Sequence, residues 1–162
     1  MPNKSFLTAL GIGLAVVVVL VGGILLKQRG STARLTGGIT NVRTLGVEEN
    51  ASVAFVDFRF TNDSKLLFIV QQTGMTVTDS IGNVREGRIL SASDTNQLFD
   101  LFPALGPKAA DPLIMKIRVG SGQSRTAMLA ARFEISKAEL DARKKLTLSV
   151  HEVDGAVSEL SR

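Results

Sequence analysis

The stretch VAFVDFRFTN (residues 53–62) decides the fold class. In an extended chain Ala54, Val56, Phe58 and Phe60 fall on one side, and Val53, Phe55, Asp57 and Arg59 fall on the other. Alternation of period two over this length predicts a β-strand with one wholly apolar face. Asp57 and Arg59 share the second face with Phe55. They are expected to form an i, i+2 ion pair at its rim, worth under ~1 kcal/mol, with a binding-face role as the alternative.

The same grammar continues downstream. Asn62-Asp63-Ser64-Lys65 reads as a turn, Leu66 to Gln71 and Met75 to Thr78 as strand, Asp79 to Asn83 as a second turn, and Val84 to Leu90 as the next strand. Leu113, Met115, Ile117 and Val119 alternate with Lys116 and Arg118. Gly120-Ser121-Gly122-Gln123 is a hairpin turn, and Ala127, Leu129, Ala131, Phe133 and Ile135 alternate again. Leu146, Leu148 and Val150 mark a last strand closing at Asp154-Gly155, with a frayed tail to Arg162. About seven short alternating strands with turns between them predict a mainly β domain, an antiparallel immunoglobulin-like β-sandwich.

Two short helices interrupt the pattern. Ser93 or Asp94 is positioned to cap the first, with Gln97 completing a capping box on Asp94. Leu98, Phe99, Leu101 and Phe102 follow, and Pro103 stops the helix. Ser136-Lys137-Ala138-Glu139 is a second capping box.

Ahead of the domain, residues 6–26 (FLTALGIGLAVVVVLVGGILL) contain no charge. As a helix, 21 residues span roughly 32 Å, close to the ~30 Å hydrocarbon core of a bilayer. A secretory signal core is shorter, about 7–15 residues, and ends at a small-x-small cleavage site. Here the run continues past Gly22-Gly23 to Lys27 and Arg29, so it reads as a retained single-pass signal anchor; a signal peptide cut near Gly23 or Gly30 is the alternative. Counted strictly, Lys27, Arg29 and Arg34 against Lys4 favour a cytoplasmic C-terminal side. Long domains translocate largely regardless of flanking charge, however, and the five-residue head resembles a signal anchor. The expected location is a cell inner membrane with the domain outside the cytoplasm. The expected organisation is an N-terminal tail (1–5), anchor (6–26), linker (27–38), β-sandwich (39–155) and C-terminal tail (156–162).

Composition narrows the function. Three of the 19 Lys and Arg flank the anchor, leaving 16 against 15 acidic residues, a net of +1 for the domain. The pI of 9.8 is therefore no argument for nucleic acid, which needs clustered positive charge on one face. The densest basic cluster, Arg143-Lys144-Lys145, sits where a short helix should end and reads as helix-dipole complementation; an anionic-partner patch is the alternative. The chain has no Cys and no Trp, which excludes disulfides, thiolate chemistry and the Cys-Trp-Cys core of antibody domains.

These elements resemble the telokin-like immunoglobulin-fold domains of bacterial secreted and membrane-anchored proteins. The residues that carry the resemblance are Phe58, Phe60 and Asn62 in the strand and its turn, the TVTDSIGN hairpin, and Phe133, Ile135 and Ser136 at the late strand end. Late-embryogenesis-abundant type 2 sandwiches are similar more weakly, because Asp63 stands where their turn has proline. The resemblance spans roughly residues 39–153. It implies an extracytoplasmic interaction domain and supplies no active site.

Residues with chemical potential have plainer readings. His151, the single histidine, falls opposite Leu146, Leu148 and Val150 with no G-x-S-x-G elbow in the chain, so it reads as a surface strand histidine. Asp57, Asp63, Asp79 and Asp94 follow no EF-hand spacing, and no metal or cofactor is expected. Gly120-Ser121-Gly122 lacks the G-K-[ST] of a phosphate loop. The sequons at Asn50 and Asn62 are read as chance. Ala9-x-x-x-Gly13 and Gly11-x-x-x-Ala15 fit small-xxx-small packing and allow a weak homo-oligomer.

The remaining feature is LFDLFPALGP (98–107), an apolar helix and turn inside a β domain. Its plain reading is a cap on one end of the sandwich core. Its sharper reading is an interaction patch of Leu98, Phe99, Leu101, Phe102 and Leu105 for a protein partner. The expected function is a non-enzymatic protein-interaction or assembly module of the cell envelope. The alternative is a lipid or small-molecule binding sandwich with its pocket near residues 98–105.

Overall fold

The computed structural model describes residues 13–14, 17–19, 21–23 and 33–162. It divides into residues 1–32 and a compact unit at 33–162. In the first, residues 13–14, 17–19 and 21–23 are helical. Most of the expected anchor at 6–26 lies outside the described residues, and among those described no helix is long and apolar enough to cross a membrane.

The second unit is mainly β. Its strands are β1 (Leu35–Glu48), β2 (Ala51–Asn62), β3 (Phe68–Thr78), β4 (Val84–Ile89), β5 (Arg118–Val119), β6 (Ser124–Phe133), β7 (Lys145–Glu152) and β8 (Val157–Ser161). Two helices, α1 (Ala92–Leu101) and α2 (Lys137–Asp141), and a 3-10 turn at Pro103–Leu105 complete it. All strand pairings are antiparallel. One layer runs β1-β2-β6-β4, the other β4-β3-β7-β8, and β5 pairs with the start of β3.

β4 belongs to both layers. Val84–Gly87 pair with β3, and Arg88–Ile89 pair with β6. The crossing is made at Gly87, where an added Cβ would lie 2.6 Å from Cζ of Phe133 and 2.9 Å from Cβ of Ala131. Only glycine lets the two layers approach so closely at this corner.

Between the layers lies the main core. Ala54, Val56, Phe58 and Phe60 of β2 meet Phe68, Val70, Met75 and Val77 of β3, Leu129, Ala131 and Phe133 of β6, and Leu146, Leu148 and Val150 of β7. The even-numbered face of β2 is therefore apolar and buried, as its alternation predicts. Its other face is buried from Val53 to Asp57 as well, with Arg59 exposed. Val53 and Phe55 form a second cluster with Phe99, Leu105, Met128 and Ala130 on the outer surface of the first layer. A central strand covered on both sides carries a continuous apolar run, which is why VAFV precedes the first charge.

Asn62 ties the end of β2 to its surroundings. Its buried amide Nδ2 donates to the carbonyls of Leu66 (2.7 Å) and Val119 (2.8 Å), and its Oδ1 accepts from the backbone N–H and hydroxyl of Ser64. The β2–β3 turn and the β5–β6 hairpin thus share one side chain.

The structure departs from several sequence expectations. β1 starts at Leu35, inside the stretch read as linker, and residues 157–161 form a strand on β7 rather than a frayed tail. β1 and β8 meet where Leu35 N–H donates to Ser158 Oγ at 2.9 Å. Residues 113–117 do not form a regular strand. Lys116 adopts φ 64°, which breaks the alternation; its N–H donates to the Val70 carbonyl (2.7 Å) and Val70 N–H donates to the Ile117 carbonyl (3.1 Å), but the regular ladder with β3 is confined to Arg118–Val119. The stretches read as strand at 66–71 and 75–78 become one strand from Phe68 to Thr78, with a bulge between Val70 and Gln72 and with Leu66 and Leu67 left in the preceding turn. α1 is capped by Ser91, whose hydroxyl accepts from Asp94 N–H, so the Asp94–Gln97 box does not form. The Ser136–Glu139 capping box does form. Arg143 donates to the Leu140 carbonyl at the end of α2, in keeping with its reading as a helix-end residue.

Candidate interaction surface

The insert between β4 and β5 packs on the outer face of the first layer, not on an end of the sandwich. α1 begins at Ser91, and Thr95 Oγ1 donates back to the Ser91 carbonyl, tightening the first turn. The helix stops at Phe102, whose N–H bonds the Leu98 carbonyl, and Pro103 opens the 3-10 turn that returns the chain to the sheet.

Two side chains point inward. Phe99 meets Phe55 edge to face at 5.1 Å, and Leu105 is buried beside it. Burying each such side chain is worth roughly 1.5–3 kcal/mol.

Arg43 of β1 locks the insert in place. Its guanidinium lies 4.8 Å from the Phe99 ring centroid. Nη1 donates to the carbonyls of Leu105 (3.2 Å) and Pro107 (2.9 Å), and Nη2 donates to Asp57 Oδ2 at 2.8 Å. Asp57 is 1% exposed. The expected Asp57–Arg59 rim pair is therefore corrected: Arg59 is exposed, and Asp57 is a buried carboxylate paired across strands with Arg43. Arg43 stands opposite Phe55, diagonal to Asp57 across the β1–β2 ladder, and its long side chain reaches the carboxylate while Arg59 stays in solvent. Sequence reasoning missed Arg43. The only available signal was an Asp inside an otherwise apolar run, which calls for a buried cation.

Of the five patch residues, Phe99 and Leu105 are core, Leu98 is half-buried, and Leu101 (71%) and Phe102 (37%) face solvent. The five therefore do not form one exposed surface. Beside them runs a groove of about 290 Å³ lined by Val47, Val53, Leu90, Leu98 and Leu101 with polar rims. One rim residue, Arg132, is held by Glu48 (3.3 Å) and Glu134 (3.2 Å), and Glu48 first among its neighbours raises its pKa.

His151 is half-buried on β7, on the face opposite Leu146, Leu148 and Val150. Gly120–Gln123 forms the β5–β6 hairpin turn, with Gly122 at φ 71°. Among the described residues no group of three or more His, Asp or Glu is placed to hold a metal.

No family model matches this chain, and no curated protein does. Among solved structures it is similar to the archaellum periplasmic stator protein FlaG from Sulfolobus acidocaldarius. The identity is 10%, coverage is 81% of this chain and 100% of that one, and the TM-score is 0.33. It is also similar to an uncharacterized β-sandwich protein from Clostridium difficile 630 (9% identity, 78% and 84% covered, TM-score 0.39). The complex of FlaF and FlaG from Sulfolobus acidocaldarius gives 7% identity, 82% and 89% coverage and a TM-score of 0.31. Likenesses this distant carry no argument about what this chain does.

Proposed function

We propose that this chain is a single-pass membrane protein whose immunoglobulin-like sandwich, held outside the cytoplasm, is a non-enzymatic protein-interaction module of the cell envelope. The carrying observation is the exposed pair Leu101 and Phe102 on a short insert whose inner side is fixed by Phe99, Leu105 and the Arg43 clamp. A solvent-facing apolar pair on a rigid mount suits contact with a partner, because little conformational freedom is lost on binding. Strand order supports the immunoglobulin-like reading. With β1, β2, β6 and β4 as strands A, B, E and D, and β3, β7 and β8 as C, F and G, the layers match ABED and CFG. The uncharged run at 6–26 supports the anchor. The telokin-like resemblance supports an extracytoplasmic domain.

Two measurements test this. A reporter active only outside the cytoplasm, fused after Arg162, should be active; activity of a cytoplasm-only reporter instead refutes the topology. A photo-crosslinking residue at position 101 should trap discrete adducts in cells that Phe102→Glu abolishes. The same adducts from position 81, on an unrelated hairpin, would refute the surface. The groove beside Leu98 favours a second reading, a small apolar ligand. Binding of such a ligand to the full chain, lost on Leu98→Trp with the fold intact, would support that reading over the first.

A further inference from the structure

The two ends of the sandwich differ. Leu35 lies opposite Asn62, Thr61 opposite Ser124, Phe68 opposite Val119, and His151 opposite Val157. The turns at 63–67, 120–123 and 153–156 therefore gather at the end where the chain enters β1. That end exposes Leu66, Leu67, Val153 and Val157, each 44–50% accessible. The segments there (34, 63–67, 118–125 and 153–156) carry four basic residues, Arg34, Lys65, Arg118 and Arg125, against Asp63 and Asp154. The far-end segments (48–50, 79–83 and 134–145) carry six acidic residues against four basic, and the strand ends beside them add Arg85, paired with Asp79, and Arg132, paired with Glu48 and Glu134. Apolar side chains and excess positive charge thus coincide at the entry end, whereas acidic and basic residues offset each other at the far end.

We propose that this entry end docks on an anionic bilayer surface, with Leu66, Leu67 and Val153 reaching the headgroup–acyl boundary and the basic residues among the headgroups. The inference rests on the anchor reading above. Eight residues (27–34) separate Leu26 from Leu35, nine steps with a reach of at most ~32 Å even when fully extended. The tether itself carries Lys27, Arg29 and Arg34. So short a tether keeps the entry end within reach of the surface at all times, and docking is then effectively intramolecular. Basic residues near an anionic leaflet are attracted within a Debye length, and leucines on a turn can sink into the boundary region.

The chain has no cysteine, so one introduced thiol gives one unique label. The full chain carrying Leu66→Cys, Leu67→Cys, Val153→Cys, Ile81→Cys or Val18→Cys is labelled with an environment-sensitive fluorophore. It is then reconstituted in vesicles of mixed phosphatidylglycerol and phosphatidylcholine containing spin-labelled lipid. Position 81 is 81% exposed at the far end and serves as the unbound control. The expected result is a blue shift and several-fold stronger quenching at 66, 67 and 153 than at 81, diminished in vesicles of phosphatidylcholine alone. Quenching at 18 with positions 66, 67 and 153 no different from 81 overturns the docking and leaves the anchor standing. No quenching at 18 removes the anchor and the docking with it. Equal quenching at 66 and 67 in both vesicle types overturns the anionic surface as the partner.

Discussion

Replacing Arg43 by Met would remove the cation from a carboxylate that is 1% exposed, together with the Nη1 donor that serves both the Leu105 and Pro107 carbonyls. Breaking a buried pair from one side leaves an uncompensated charge and costs about 3–5 kcal/mol. Typical domains are stable by only about 5–15 kcal/mol, so a large fraction of the stability would go. With a urea slope of about 1–3 kcal/mol/M, the unfolding midpoint of the full chain should fall by roughly 1–5 M. Asp57→Leu alone should also destabilise, because Arg43 would then lack its anionic partner. The double variant Arg43→Met/Asp57→Leu has no buried charge left. It loses the two hydrogen bonds to the insert, about 1 kcal/mol each, and should sit within about 2 kcal/mol of the parent. The double-mutant cycle should therefore return a coupling of at least about 2 kcal/mol. Amide exchange adds a spatial readout: Arg43→Met should lose protection in α1 and the 3-10 turn before the main-core strands. A double variant no more stable than Arg43→Met, or exchange spread evenly over the domain, would refute the clamp.

Other positions give sharp expectations. Asn62→Ala leaves the Leu66 and Val119 carbonyls without their buried donor and should cost about 2–4 kcal/mol in denaturant titration. Asn62→Asp places a carboxylate against those carbonyls. Its folded pKa is raised, so any stability it retains is present at low pH and lost as pH rises through that value; stability that increases with pH would contradict this. Gly87→Ala pushes a methyl into Phe133 and should cost about 1–3 kcal/mol, recovered in part by adding Phe133→Leu. Asp141, held by hydrogen bonds from Lys137 first and then Thr44, has its pKa lowered. Its contribution is present above the ordinary carboxylate range and lost as pH falls through the lowered folded value. Parent and Asp141→Asn stabilities should therefore converge under acid.

Much of the fold was legible because the alternation at 53–61 and 127–135 maps directly onto buried faces. β1 was not, since LTGGITNVRTLGVE has two adjacent glycines and mostly half-buried or exposed positions, the mark of an edge strand. β8 is five residues with only Ser158 and Leu160 buried, too short for periodicity to register. Residues 113–117 misled in the other direction: Leu113, Met115 and Ile117 alternate, but Ile114 breaks the pattern and the left-handed Lys116 keeps the stretch from forming a regular strand. The candidate patch was legible as a composition anomaly only. Which of its side chains face in depends on Phe55 and Arg43, more than 40 residues away in sequence, and the buried Asp57 gained its meaning only when β1 was placed beside β2.

The long pairing of β1 with β2 has a mechanical consequence. β1 runs from the entry end, with Leu35 opposite Asn62, to the far end, with Glu48 opposite Ala51. A pull through Leu35 directed along β1 runs across the ladder bonds, which lie perpendicular to the strand. Such a load is borne in shear by the whole ladder at once rather than by one bond at a time. If a partner tugs on the domain against its tether, the first strand resists as a seam and does not peel like a zip.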